Sequence, residues 1–280
     1  MPNVHIVIDS TACLPDDFLK KYDNLHVIPL KVILGDREWP EPEMSCRELF
    51  DLSQKSNIFP KTSQPAPGDF AAVFAPLVAA GHEVIVITIS SRISGTFNGA
   101  KVAAQAAGGK IRVLDSRTTA VGMAKMAEMA LAMIQAGHSA DEVFSRLQDM
   151  ADVTHTMIVP KTLDYLHKGG RIGGAAALMG TILQIRPVLY LTEGKVDVLD
   201  KARTQGKAVQ RMVEELSQYP KLAHIGVIHI EAPEDGAKLA AQVRELYPDV
   251  PVSLTTGSPV LATHLGPVLA IICHEVLGDR

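Results

Sequence analysis

Three times in the first 136 residues, a short apolar run stops at small polar residues and gives way to a helical pattern. Val4-His-Ile-Val-Ile8 ends at Asp9-Ser10-Thr11, ahead of a helical stretch at 15–22. Glu83 to Ser90 stops at Ser90-Ser91 before the Ala-rich segment Gly95 to Ala107, and Ile111 to Asp115 stops at Asp115-Ser116 before a helical pattern at 117–136. The short runs are rich in Val and Ile, as strands are, whereas the longer segments repeat apolar residues every three or four positions. Strands that alternate with helices are joined by crossovers, and crossovers build a mostly parallel sheet with helices on both faces. In such sheets the ligand-binding groups sit in the loops beyond the carboxyl ends of the strands. Those ends are rich in Asp, Ser and Thr here, so the site is expected there.

After a helix at about 139–151 the pattern changes. Arg186 to Thr192 and Lys195 to Asp200 are extended runs joined by Glu193-Gly194, a pair suited to a hairpin turn. A helix at 204–217, a strand at 224–230, a helix at 233–246 and extended runs near 252–256 and 267–273 follow. At 280 residues the chain is near the size at which a single core stops growing. The expected fold class is therefore α/β with two domains. An N-terminal domain, 1–155, holds the mostly parallel sheet flanked by helices, and a C-terminal domain, 156–280, is mixed α/β.

Composition narrows the function classes. With 47% apolar residues and a formal net charge of −4, the chain is neither a disordered segment nor a general nucleic-acid binder, which needs a basic excess. Its longest apolar stretches, such as Val268 to Cys273, fall far short of the roughly 18–20 residues of a membrane span. Met1 to His5 leads into a strand-like run without the basic region and apolar plug of a leader, so a cytoplasmic location with reduced thiols is expected. Cys13, Cys46 and Cys273 are too scattered for a disulfide framework, and the dispersed histidines suggest no metal site. There is no Gly-x-Ser-x-Gly elbow, no phosphate-binding Walker loop and no His-Glu-x-x-His. Gly169-Gly-Arg-Ile-Gly-Gly174 fails the dinucleotide spacing. No catalytic residue, metal or cofactor is expected.

Two hydroxyl and glycine clusters remain. Thr62-Ser-Gln-Pro-Ala-Pro-Gly68 precedes a helical pattern at 69–77, and Ser90-Ser-Arg-Ile-Ser-Gly-Thr-Phe-Asn98 places Ser94 and Gly95 at the opening of another. Both can offer hydroxyl and backbone N–H donors to an anion without a buried countercharge, although ordinary helix capping uses the same residues. A stripe of Met123, Met126, Met129 and Met133 suits either a core face or an adaptable apolar wall. Arg203, Lys207 and Arg211, four apart on the 204–217 helix, form one basic face.

Taken together, Asp9-Ser-Thr, Thr62-Ser-Gln-Pro, Ile89-Ser-Ser-Arg-Ile-Ser-Gly-Thr-Phe97, Lys168-Gly-Gly-Arg-Ile172, Ile185-Arg-Pro187, Ala202-Arg-Thr204 and His264-Leu-Gly-Pro267 resemble the DegV family in order and spacing, over essentially the whole chain. The resemblance implies a fatty-acid-binding carrier: a long-chain fatty acid is presented to a separate ATP-using fatty-acid kinase, which makes an acyl phosphate for phospholipid synthesis. It also implies that Thr62, Ser94, Gly95 and His264 meet the carboxylate, with Ser63, Thr96, Arg171 and Arg203 near the head group or the kinase. The chain departs from the family pattern at Val268, where glycine is usual, and at Ile93 in place of leucine. The main rival is an acyl hydrolase or acyltransferase with Ser94 as nucleophile and His264 as base. A DNA-linked regulator is a second, which the acidic balance disfavours.

Overall fold

The computed structural model describes residues 3–179 and 185–278. Its first half runs β1 (Val4–Asp9), α1 (Asp16–Leu19), β2 (Leu25–Ile28), β3 (Lys31–Leu34), β4 (Arg37–Pro40), α2 (Cys46–Ser56), β5 (Lys61–Ser63), α3 (Pro67–Ala79), β6 (Glu83–Thr88), α4 (Thr96–Ala107), β7 (Lys110–Asp115), α5 (Ala120–Gln135) and α6 (Ala140–Asp152). The second half runs β8 (Thr154–Pro160), α7 (Asp164–Lys168), β9 (Arg186–Thr192), β10 (Lys195–Ala202), α8 (Gln205–Glu215), β11 (Leu222–Ile230), α9 (Pro233–Leu246), β12 (Val252–Thr256), α10 (Pro259–Leu265) and β13 (Val268–Glu275).

The first half forms a four-stranded sheet of order β2-β1-β6-β7, parallel throughout. A smaller antiparallel sheet, β4-β3-β5, stands apart from it. The second half forms a six-stranded sheet of order β10-β9-β8-β13-β11-β12, antiparallel except for β11 and β12. Local signals fix the helix starts: Ser45 with Glu48 and Ser139 with Glu142 form reciprocal capping boxes at α2 and α6. Glu193 and Gly194 both adopt positive φ, 48° and 78°, which makes the tight β9–β10 turn.

Side-chain alternation sorts the core into three layers. Val7, Val84 and Val86 face Phe70 and Phe74 on α3, while Ile6, Ile8, Ile85 and Ile87 face the other way. In the second sheet, Met157, Val159 and Val227 pack with Met212 of α8 and Leu239 of α9, while Ile158 and Ile228 point to the opposite side. Those opposite sides join in a single central layer, shared by both sheets and filled by Met123, Met126, Ala127 and Ala130 of α5. The methionine stripe is therefore core: Met123 and Met126 are fully buried, and the Met123 sulfur accepts from Thr11 Oγ1 at 3.6 Å.

Some boundaries differ from expectation. The second sheet starts at Thr154, so a division after residue 155 cuts into β8. Arg203 lies in the bend before α8 rather than on it, because Thr204 is the N-cap and accepts from the Lys207 N–H. Arg211 is tied to Asp200 at 3.0 Å and to Glu215 at 2.7 Å, so the basic face carries less free charge than its spacing implies. Val268 opens β13 in ordinary extended pairing, opposite Ile230 and Pro160, and the positive φ of this turn belongs to Gly266, at 63°. Valine is thus compatible with the backbone there.

Candidate functional site

Beyond the carboxyl end of β6, between the two large sheets, lies a pocket enclosing about 710 Å³ of empty space, counting that open to solvent at its mouth. Its walls are aliphatic: Leu30, Ile89, Ile93, Ile158, Leu166, Leu191, Val196, Val260, Leu261 and Leu265. The remaining lining residues are Thr62, Gln64, Ser94, Gly95, Thr119, Arg171 and His264. None of the described lining residues is acidic, and none is Phe, Tyr or Trp.

Each polar group arrives on a different element. Thr62 is on β5, held opposite Val32 of β3, and alternation turns its neighbour Ser63 away, so Ser63 is not in the lining. Ser94 and Gly95 end the loop that leaves β6, and Gly95 is the N-cap of α4. Gly95 has no side chain to cap the helix, and the neighbouring Ser94 hydroxyl takes the first-turn Thr96 N–H instead. The Ser94 hydroxyl lies 2.8 Å from Thr96 Oγ1 and accepts from the Thr96 N–H at 3.3 Å. Thr96 itself is fully buried and outside the lining, so it acts by orienting Ser94.

His264 sits in the last turn of α10, a helix the hydrophobic pattern does not reveal but which Ser258 caps through the Leu261 N–H, with Pro259 in the first turn. Its Nε2 is 2.7 Å from Thr62 Oγ1. The other ring nitrogen, Nδ1, is buried without a polar partner and faces the α-carbon of Gly169, where an added Cβ would come within 2.4 Å. A proton on Nδ1 would be a buried donor with nothing to receive it, a rarer and costlier arrangement than an under-used acceptor. The proton therefore belongs on Nε2, which donates to Thr62 and leaves the threonine O–H free to donate into the pocket. Burial, followed by the nearby Arg171 charge, pulls the imidazole pKa down to about 4, so the ring is neutral at pH 7.

Arg171 is the single lining cation among the described residues, and its guanidinium is engaged. Nε donates to the Ile93 carbonyl at 3.1 Å and Nη1 to the Gly169 carbonyl at 2.6 Å. It thereby ties the Ser94 loop to the segment packed on His264. Arg203 does not join this group. It follows β10 seven residues beyond the lining residue Val196, roughly 20 Å along a strand at about 3.3 Å per residue. Gln64, whose side chain closes over Gly95, belongs to the lining and lies within the Thr62-Ser-Gln-Pro motif, which gave it no role of its own; Thr119, buried at the end of the β7 loop, also belongs to the lining, and no sequence signal singled it out.

A Ser94–His264 couple does not form. The histidine bonds Thr62, the serine bonds Thr96, and no carboxylate meets Nδ1. Among the described residues, no cluster of three or more His, Cys, Asp or Glu is arranged to hold a metal ion, and no helix is long and apolar enough to cross a membrane.

Comparison with known proteins agrees with this fold. A sequence profile of the family described as "Uncharacterised protein, DegV family" matches residues 3–275. A DegV domain-containing protein of Streptomyces coelicolor is 35% identical over 272 residues, covering 95% of this chain and 96% of the relative. Among solved structures, DegV of Bacillus subtilis, described as a fatty acid binding protein, superposes with a TM-score of 0.88 at 29% identity, over 99% of this chain and all of that one (100%). A DegV family protein of Thermus thermophilus, described by its fatty acid binding, gives 0.87 at 28% identity over 98% and 100%. With nearly the whole chain matched by the family profile, this protein belongs to the DegV family.

Proposed function

We propose that the chain binds one long-chain fatty acid in this pocket. The carboxylate meets the Thr62 and Ser94 hydroxyls and the Gly95 end of α4, while His264 orients Thr62 from behind. The observation that carries the reading is the make-up of the pocket: aliphatic walls ending at hydroxyl donors, with no acidic group among the described lining residues and with Arg171, the one cation among them, already bonded to carbonyls. Two family members at 28% and 29% identity are described as binding fatty acids, which supports the same ligand class.

The energetics fit a lipid. At about 0.8 kcal/mol per buried methylene, a tail of about fourteen methylenes offers on the order of 11 kcal/mol before ordering costs, against about 1 for a neutral hydrogen bond. The tail supplies affinity, and the hydroxyls fix which end faces out.

The chemistry of the head group further suggests a carrier that hands its cargo to an ATP-using fatty-acid kinase. A carboxylate oxygen attacks the γ-phosphorus of ATP, the bond to ADP breaks, and an acyl phosphate forms. A buried Arg or Lys pair would hold the carboxylate more strongly and blunt it as a nucleophile. Hydroxyl donors leave it reactive. On this reading no cofactor is bound by the carrier, and the exposed Arg203 and Lys207 lie on the face that meets the kinase. Arg203→Glu with Lys207→Glu lowers acyl phosphate formation by the cognate kinase and leaves lipid affinity unchanged; unaltered phosphorylation removes that docking face.

Calorimetric titration with palmitic acid tests the binding reading. Hydrogen bonds to a charged group contribute about 1.5–3 kcal/mol each, so Thr62→Ala with Ser94→Ala weakens binding at least tenfold. Equal affinity in wild type and variant contradicts the head-group assignment.

A further inference from the structure

We propose that two buried carboxylates, Asp9 and Glu41, act as positioning residues that set the spacing between the Ser94 loop and the helix bearing His264. This rests on the head-group reading above. Neither residue lines the pocket, and both are almost wholly buried, at 2% and 3% exposure.

Their bonds reach each arm of the head-group site. Asp9 Oδ2 accepts from the Ile89 N–H at 2.6 Å, at the start of the loop that ends in Ser94 and Gly95. Its other oxygen accepts from the Thr11 N–H and hydroxyl, so the carboxylate cannot swing. Glu41 Oε1 accepts from the Val260 N–H at 2.9 Å, in the first turn of α10. Glu41 Oε2 accepts a short bond from the Ser10 hydroxyl, and the same Ser10 oxygen accepts from the Leu30 N–H at 2.9 Å. The Glu41 N–H in turn donates to the Leu30 carbonyl at 2.8 Å. Leu30 leads into β3, the strand that pairs with β5 and so carries Thr62.

Asp9 and Ser10 are adjacent in the chain. Asp9 grips the Ser94 arm, and Ser10 reaches through Glu41 to the α10 arm. Burying a carboxylate is costly unless every lone pair that faces protein has a donor, and here each oxygen has one. The compensation is directional: a carboxylate fixes the N–H groups it receives to within a few tenths of an ångström, which apolar packing does not do. Hydroxyl donors grip a fatty-acid head group only if both are correctly placed, because a hydrogen bond weakens steeply with distance and angle.

A purely structural network would lower stability and weaken any ligand alike, whereas a positioning network acts on the head group. The measurement is therefore the affinity ratio between palmitic acid and methyl palmitate, which share a tail and differ at the head. Wild type is expected to prefer the acid by at least tenfold. Glu41→Ala is expected to reduce that preference at least fivefold while methyl palmitate binding changes little. Glu41→Gln restores most of the preference, since its amide oxygen still accepts from Val260 and its NH2 can meet the Ser10 oxygen. Should Glu41→Ala fail to fold, Ser10→Ala breaks the same relay by losing one hydroxyl and is expected to act in the same direction. If acid and ester affinities fall in parallel, Glu41 is structural only and the inference is overturned. If wild type itself does not distinguish acid from ester, the head-group reading fails first and takes the inference with it.

Discussion

At the scale of single residues, the site depends on where one imidazole proton sits, and Gly169 decides that by its closeness to Nδ1. Gly169→Ala would force the His264 ring aside, since the Tyr165 carbonyl, 2.9 Å from the added methyl, closes the other direction. We predict about tenfold weaker palmitic acid binding, read by titration, with methyl palmitate far less affected. His264 also carries a pH signature. Its pKa falls from the ordinary 6.5 to about 4 in the folded chain, so between those values the unfolded chain holds a proton that the native state refuses. Stability therefore drops as pH falls from 6.5 towards 4, by at most roughly 3 kcal/mol from this residue. Asp9, raised to about 6 mainly by burial, works in the opposite sense, adding stability as pH falls through 6. The comparison that isolates the histidine is the slope of Tm against pH, which should be shallower in His264→Gln than in wild type. Thr62, Ser94, Gly95, Arg171 and His264, which the family motifs single out, share the lining of one pocket. The role of Gly169 was not legible, since it depends on a helix nearly a hundred residues away, and Arg203 was misplaced because four-residue spacing was carried one residue beyond the N-cap at Thr204.

Among the elements, the parallel β1, β6 and β7 were legible because each is a short run rich in Val and Ile that stops at polar residues, and α4 because an Ala-rich stretch follows such a stop. The β9–β10 hairpin was legible for the same kind of reason, through Glu193-Gly194. The three-stranded β4-β3-β5 sheet was not. Its strands are three or four residues long, too short for a period to register, and their pairing is set by tertiary contact. Yet this sheet carries Thr62. Helix α10 is likewise brief, at seven residues, and owes its start to Ser258 and Glu41 rather than to propensity. Ser258→Ala should cost about 1 kcal/mol of stability, seen as a lower midpoint in urea unfolding. An unchanged midpoint would mean that the cap contributes nothing to holding α10.

Across the whole molecule, two separate sheets share one central apolar layer, and the pocket opens within that layer. Division into two structural halves was legible from the switch to antiparallel runs after residue 151, whereas their common core was not, because a pattern along the chain shows which face is apolar but not what it meets. That common core predicts a single cooperative calorimetric transition, and an isolated fragment 1–153 without native-like unfolding; two resolved transitions would show that the halves are independent. The account stands most directly on native mass spectrometry of the purified protein followed by extraction and identification of its lipid. It predicts one fatty acid per chain, with occupancy depleted in Thr62→Ala/Ser94→Ala. A chain that carries no lipid and takes up none from palmitic acid would contradict it.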